Sequence, residues 1–195
     1  MSLFPATYHR PPRDLPAVIV EFEETRREII STLLRLNRDA WRIKPHHGKW
    51  CVAQIVEHLN DVDRNWWRVL IVANRLQVLF PAKPQNLRAT VDQPFGKTAM
   101  RALKIFSNPR GRKRRKHMIG GYEQTARKIV HLLEQLSERK LGQLRMFSPI
   151  AGIIGVADAL AILTYHDQHH YKQILACIDT LRQKNIPTEY TPDES

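Results

Sequence analysis

The chain has 195 residues, enough for one domain with a substantial core and too few for a second full one. Its 31 Lys and Arg against 19 Asp and Glu give a formal charge of +12, so its surface should draw anions such as nucleic acid, phosphorylated metabolites or acidic thiols. Two cysteines exclude a disulfide framework, no run of about 18 apolar residues offers a membrane span, and the opening "MSLFPATYHRPPRD" lacks a signal-peptide core, so a cytoplasmic protein is expected.

Residues 1–13 hold three prolines and no periodicity, and read as an extended arm. Asp14 then has the character of an N-cap, and Pro16 is tolerated in a first helical turn. Leu15, Val18, Phe22, Ile29, Leu33 and Leu36 recur at threes and fours, with Thr25 filling the gap, until Pro45 and Gly48 break the helix in "KPHHGKW". A second stripe runs through Cys51, Ile55, His58, Val62, Trp66, Val69, Ala73, Leu76 and Phe80 and stops at Pro81. Residues 81–117, interrupted by Pro84, Pro94 and Pro109, suggest only a short helix at Thr98 to Phe106 and read as a long basic surface connection.

A third helix follows in Ile119, Tyr122, Ala126, Ile129, Leu133 and Leu136, bounded by Gly142 and Pro149. The fourth runs from about Val156 through Leu181, with Ala159, Leu160, Leu163, His170, Ile174, Cys177, Ile178 and Leu181 on one side. No segment alternates as a strand. Four amphipathic helices predict a single all-α four-helix bundle spanning residues 1–195, with the long connection between its second and third helices.

The fourth helix carries the string "YHDQHHYKQI". At about 100° per residue, His170 falls in the middle of the apolar stripe, His166 lies one turn earlier on the same side, and His169 points well off it. An i, i+4 histidine pair facing a core lets two imidazoles meet one metal ion. His58, central in the second stripe, supplies a third. Three neutral imidazoles suit Zn or Ni, with Fe or Mn also compatible, and leave positions open for water or substrate. Asp167 falls back on the buried side as a candidate to orient an imidazole or act as a base, and Asp61, one turn after His58, could orient on its own helix; Glu57 lies too far round.

The remaining candidates read more plainly. His9, His46, His47, His117 and His131 lack partners and belong to the surface; Cys51, Cys177, Trp66 and Trp67 read as packing. "HDQHH" also spells H-D-x-x-H, but Asp is one methylene shorter than the general base a zincin needs, and no third His follows downstream.

"GKWCVAQIVEHLNDVD", followed about a hundred residues later by "GVADALAILTYHDQHHYKQI", resembles the DinB-like superfamily, nearest to its bacillithiol-transferase type branch. The resemblance implies a four-helix bundle whose divalent metal is held by His58, His166 and His170, a homodimer, and a thiol S-transferase or related hydrolase acting on a small molecule such as a low-molecular-weight thiol. Two features depart from it. Cys51 stands where the family has Ser or Thr, which leaves the capping box with Gln54 incomplete. The other is "NPRGRKRRKHM", whose Arg110, Arg112, Lys113, Arg114, Arg115 and Lys116 fill six of seven positions. That run is either a solvated helix start, unfavourable to the helix dipole, or a phosphate-binding segment, so a nucleic-acid-associated or metal-binding protein without catalysis is the competing reading.

Overall fold

The spacings of three and four fold into helices that each bury one stripe: α1 (Leu15–Arg35), α2 (Val52–Leu76), α3 (Arg115–Glu134), a short α4 (Glu138–Gln143) and, after two strands, α5 (Val156–Gln183). The computed structural model describes residues 14–76, 109–148 and 152–189. The N-terminal arm, the helix expected at Thr98 to Phe106 and most of the connection after Leu76 lie outside them.

The four long helices do not pack in simple sequence order. α1 packs chiefly on α5 and also on α3, while α2 packs chiefly on α3 and also on α5. The consecutive pair α1 and α2 is therefore diagonal, and the link between them crosses one end of the bundle through a single 3-10 turn, Ala40–Arg42, that buries Ala40 and Trp41. α5 starts at Val156, as its stripe predicts, whereas α3 starts at Arg115, a turn before its first apolar seam residue.

Strands were not expected, and the described residues form two. β1 (Arg145–Ser148) and β2 (Gly152–Gly155) pair antiparallel, with Met146 opposite Ile154 and Phe147 opposite Ile153. Met146 and Ile154 are buried against α2 and α5, while Phe147 and Ile153 face outward. Four residues per strand give too few inward positions for alternation to stand out in a sequence.

The apolar core is split in two. Ile29, Leu33, Leu59, Tyr122 and Ile174 belong to one cluster, Phe22, Leu70, Ile129 and Leu163 to the other. Between them, on α1, α2 and α5, stand Arg26, Asp63 and Asp167, each at most 2% exposed. The Arg26 guanidinium donates to both oxygens of Asp63 at 2.6 and 2.7 Å, and its Nε donates to Asp167 Oδ2 at 2.9 Å. The Phe22 and Tyr122 rings lie over the guanidinium, each 4.2 Å from its carbon. Burial alone would lower the guanidinium pKa, but the fields of Asp167 and Asp63 reverse that and keep the group charged.

One side chain thus touches all four long helices. Replacing Arg26 with Met leaves two buried carboxylates without their cation, so urea unfolding should show a loss of about 3–5 kcal/mol. Arg26→Lys keeps the charge but not the planar fork, and should recover only part of that stability.

Candidate metal centre

α2 and α5 pack against each other beside this polar layer, and each projects imidazole into the contact. His58, His166 and His170 are 3–4% exposed, and one nitrogen from each lies within 4.8 Å of the other two. His58 Nε2 and His166 Nε2 face each other at 3.1 Å, and the three ring centroids are 4.5–5.1 Å apart. The i, i+4 spacing on α5 and the facing stripe on α2 suffice to bring the three rings together.

Their surroundings set ring orientation and charge. His170 Nδ1 and Gln173 Oε1 are 3.0 Å apart, which fits an Nδ1–H donor and leaves Nε2 with its lone pair free of that bond. Gln173 Nε2 in turn lies 2.9 Å from His169 Nε2, so one amide ties two neighbouring rings. Trp50 walls the cluster, its ring 5.2 Å from that of His58 and stacked 6.3 Å from that of His170. Burial, reinforced by His166, holds His58 down to about 4; burial, then His166 and His58, holds His170 down to about 2.

These residues fit a divalent metal. Neutral imidazole is the ligating form, and both shifted rings are neutral at pH 7. His58 Nδ1 is buried without a hydrogen-bond partner among the described residues, and its Nε2 faces the nitrogen of His166. Two facing nitrogens can share one proton, or both can point lone pairs at one cation. Three imidazoles with no anionic donor match Zn or another borderline ion. The cluster opens to a cavity of about 430 Å³ lined also by Trp50, Gln173 and Cys177, with His46 and Lys49 toward solvent.

Asp167 reaches the cluster only from behind. Its Oδ1 lies 3.9 Å from His166 Nδ1, while Oδ2 is held by Arg26, and it does not line the cavity. Asp61 is on the outer side of α2, paired with Arg64. His169 is half-buried at the rim, and His46, His47, His117 and His131 are exposed. The Cys177 thiol, pushed up to about 11 by burial and then by Cys51, is an inert wall residue. Gln54 Oε1 accepts the Cys51 N–H at 3.2 Å, so half of the capping box survives with a thiol in the hydroxyl position. Gln173, Trp50, Arg26 and Asp63 were not singled out from the sequence; the i+3 offset of Gln173 from His170 and the Trp in "GKW" were the available signals.

The basic run is docked rather than simply solvated. Glu57 Oε2 accepts the N–H groups of Arg110 and Gly111 at 2.9 and 2.6 Å, and its other oxygen is 3.1 Å from Lys113 Nζ. Arg115 donates to the carbonyls of Leu33 and Leu34 at the end of α1, where its charge suits that helix's dipole. Arg110, Arg112, Arg114 and Lys116 remain exposed.

The DinB superfamily profile matches residues 21–174. Among solved structures, YfiT from Bacillus subtilis, described as a probable metal-dependent hydrolase with an unusual four-helix bundle topology, aligns with a TM-score of 0.60 at 16% identity, covering 94% of this chain and 98% of that one. TT2238, described as a four-helix bundle protein, aligns with a TM-score of 0.56 at 13% identity, over 84% of this chain and 99% of its own. No curated protein matches the sequence.

Equilibrium dialysis followed by metal analysis should find about one divalent ion per chain, lost in His58→Ala and in His170→Ala and retained in His169→Ala. The metal-free protein should also be acid-sensitive in a defined window. Unfolded histidines titrate near 6.5 while folded His58 stays neutral to about 4, so stability is fully present above about pH 6.5 and should fall as the pH drops toward 4. A urea midpoint unchanged between pH 7 and 4.5 would contradict a buried neutral His58.

Proposed function

The chain belongs to the DinB superfamily, and we propose that it is a metal-dependent enzyme whose His58, His166 and His170 hold a divalent ion that activates a thiol for S-transfer. The observation that carries this reading is the convergence of three buried imidazoles, within 4.8 Å, at the floor of an open cavity. A site built only to store metal has no need of that space. The description of the Bacillus subtilis neighbour as a probable metal-dependent hydrolase supports the metal dependence.

A bound divalent ion with three neutral ligands would keep its full positive charge and supply Lewis acidity, lowering the pKa of a thiol or water. The chain's own residues do the rest. Gln173 fixes His170, Asp167 lies behind His166, and Trp50 offers a flat apolar wall against which a substrate can lie. No carboxylate among the described residues lines the cavity, since Asp167 is held by Arg26, so none of them stands there as a carboxylate base for water. That lack separates the two candidate nucleophiles. A thiol starts near pKa 8.5 and needs only a modest shift to ionise at neutral pH, whereas water starts near 15.7. In the transfer, the thiol loses its proton to solvent, its sulfur forms the new bond to an electrophilic carbon, and the leaving group departs with the electron pair of the bond that breaks. Lys49 at the mouth, on a chain of net charge +12, favours an anionic low-molecular-weight thiol.

Hydrolysis is the second reading, favoured by the neighbour's description alone. Metal-loaded protein assayed with glutathione, bacillithiol, mycothiol and coenzyme A against a chromogenic electrophile should accelerate at least one reaction, and His170→Ala should return it to the uncatalysed rate. Gln173→Leu, which frees the His170 ring, should lower metal affinity or activity by roughly 10- to 100-fold. Ester or amide cleavage that needs His170, with every thiol inactive, would replace the transferase by the hydrolase.

A further inference from the structure

Glu57 and His58 are consecutive on α2 and serve different sides of it. His58 enters the cluster between α2 and α5, while Glu57 docks the basic loop 109–114 onto the outer side. The docking is specific. Gly111 adopts a left-handed φ of +67°, and a Cβ there would lie 3.1 Å from Gln54 Cγ and 3.3 Å from Ala53 Cβ. Gln54 Nε2 donates to the Pro109 carbonyl at 3.0 Å, and Arg42 donates to that of Arg112 at 3.2 Å. A segment of such charge density thus has its backbone held in one shape against its own repulsion.

A concavity lies on each side of the loop. One, about 380 Å³, is lined by Arg42, Lys44, Arg110 and Arg112 and by no acidic residue. The other, about 470 Å³ between α2 and α3, is lined by Arg64, Arg68, Lys113 and Lys128, with Glu57 the only carboxylate among the described residues, and the half-buried Trp67 forms part of its wall. Glu57 is already satisfied by the loop, and Arg64 and Lys113 have carboxylate partners. Arg42, Lys44, Arg68, Arg110, Arg112 and Lys128 are in no ion pair among the described residues.

We propose that this face, formed by α2, α3 and the loop 109–114, binds single-stranded nucleic acid. Its phosphates would follow the two cationic concavities across the docked loop, and a base would stack on Trp67. Cations spread over two adjoining hollows match a chain of phosphates better than a single one, and the aromatic wall of the hollow between α2 and α3 matches an unpaired strand better than a rigid duplex.

The test is fluorescence anisotropy of the full chain with a labelled oligothymidylate of about 20 nucleotides, beside a duplex of equal length, over a range of salt. The wild type should bind the single strand more tightly. Arg110→Gln with Arg112→Gln, both exposed, should weaken binding roughly tenfold and reduce the salt slope by about 0.7 per arginine removed. Trp67→Leu should weaken it to a similar degree, roughly tenfold, with far-UV circular dichroism confirming its fold and Lys128→Gln replacing it if the fold is lost. The control is Arg27→Gln with Arg139→Gln, an equal charge change elsewhere on the surface, and it should retain near-wild-type affinity. No binding at low salt, equal losses in the control and loop variants, or tighter binding of the duplex would each overturn the proposal.

Discussion

The structure depends on one buried guanidinium. Arg26 leaves α1 and ends where all four long helices meet, clasping Asp63 of α2 and Asp167 of α5 and lying between the rings of Phe22 and of Tyr122 from α3. α1 and α2 are diagonal and have few direct contacts, so a side chain of this length bridges two helices that apolar residues would join less directly. Burying charges costs several kcal/mol per ion after relaxation, and an apolar layer could be as stable. What the ionic layer adds is a demand on register. Its hydrogen bonds form only when α1, α2 and α5 stand at one height relative to each other, whereas leucines tolerate sliding.

That register is what the imidazole cluster needs. His166 neighbours Asp167, and His58 precedes Asp63 by five residues on the same helix, so fixing the two carboxylates also fixes the two histidines whose nitrogens face at 3.1 Å. The charges point the same way. Two carboxylates face one guanidinium in a buried layer, burial pushing the Asp63 carboxyl above its ordinary value, and Asp167 Oδ1 lies 3.9 Å from His166 Nδ1. His58 and His170, which burial keeps from protonating, therefore sit beside a carboxylate-bearing layer, an arrangement that favours a metal cation at the cluster over a proton on either ring.

The helices and the histidine set were legible because both follow from periodicity. Three and four residue spacings mark a buried stripe, and His58, His166 and His170 lie on such stripes. Arg26 was hidden by the same logic. It falls four residues after Phe22 and three before Ile29, a core position, but a charged residue there reads as the polar side of a helix, and Thr25 seemed to fill the gap. Asp63 was passed over for Asp61, which a helical turn places nearer His58 on paper, because nothing local reveals that a guanidinium 37 residues away reaches it. The docked loop shows the same limit: Glu57 meets the backbone of Arg110 across 53 residues, a pairing that no window of sequence contains. Pattern reveals which residues are buried; it does not reveal which charges find one another.

α2 carries this division of labour along its length. Ile55, His58 and Leu59 face inward and build the bundle and its imidazole cluster, while Glu57, Arg64 and Arg68 line the outer concavity on the α3 side. A helix repeats its faces every 3.6 residues, so neighbouring positions point about 100° apart and can answer to different partners without sharing side chains. The two regions are nonetheless adjacent, since Glu57 and His58 are consecutive in the chain. Changing an exposed arginine on the loop touches neither the Glu57 contacts nor the imidazole cluster. The chemistry at the cluster and the charge on the outer face are thus separable by surface substitution.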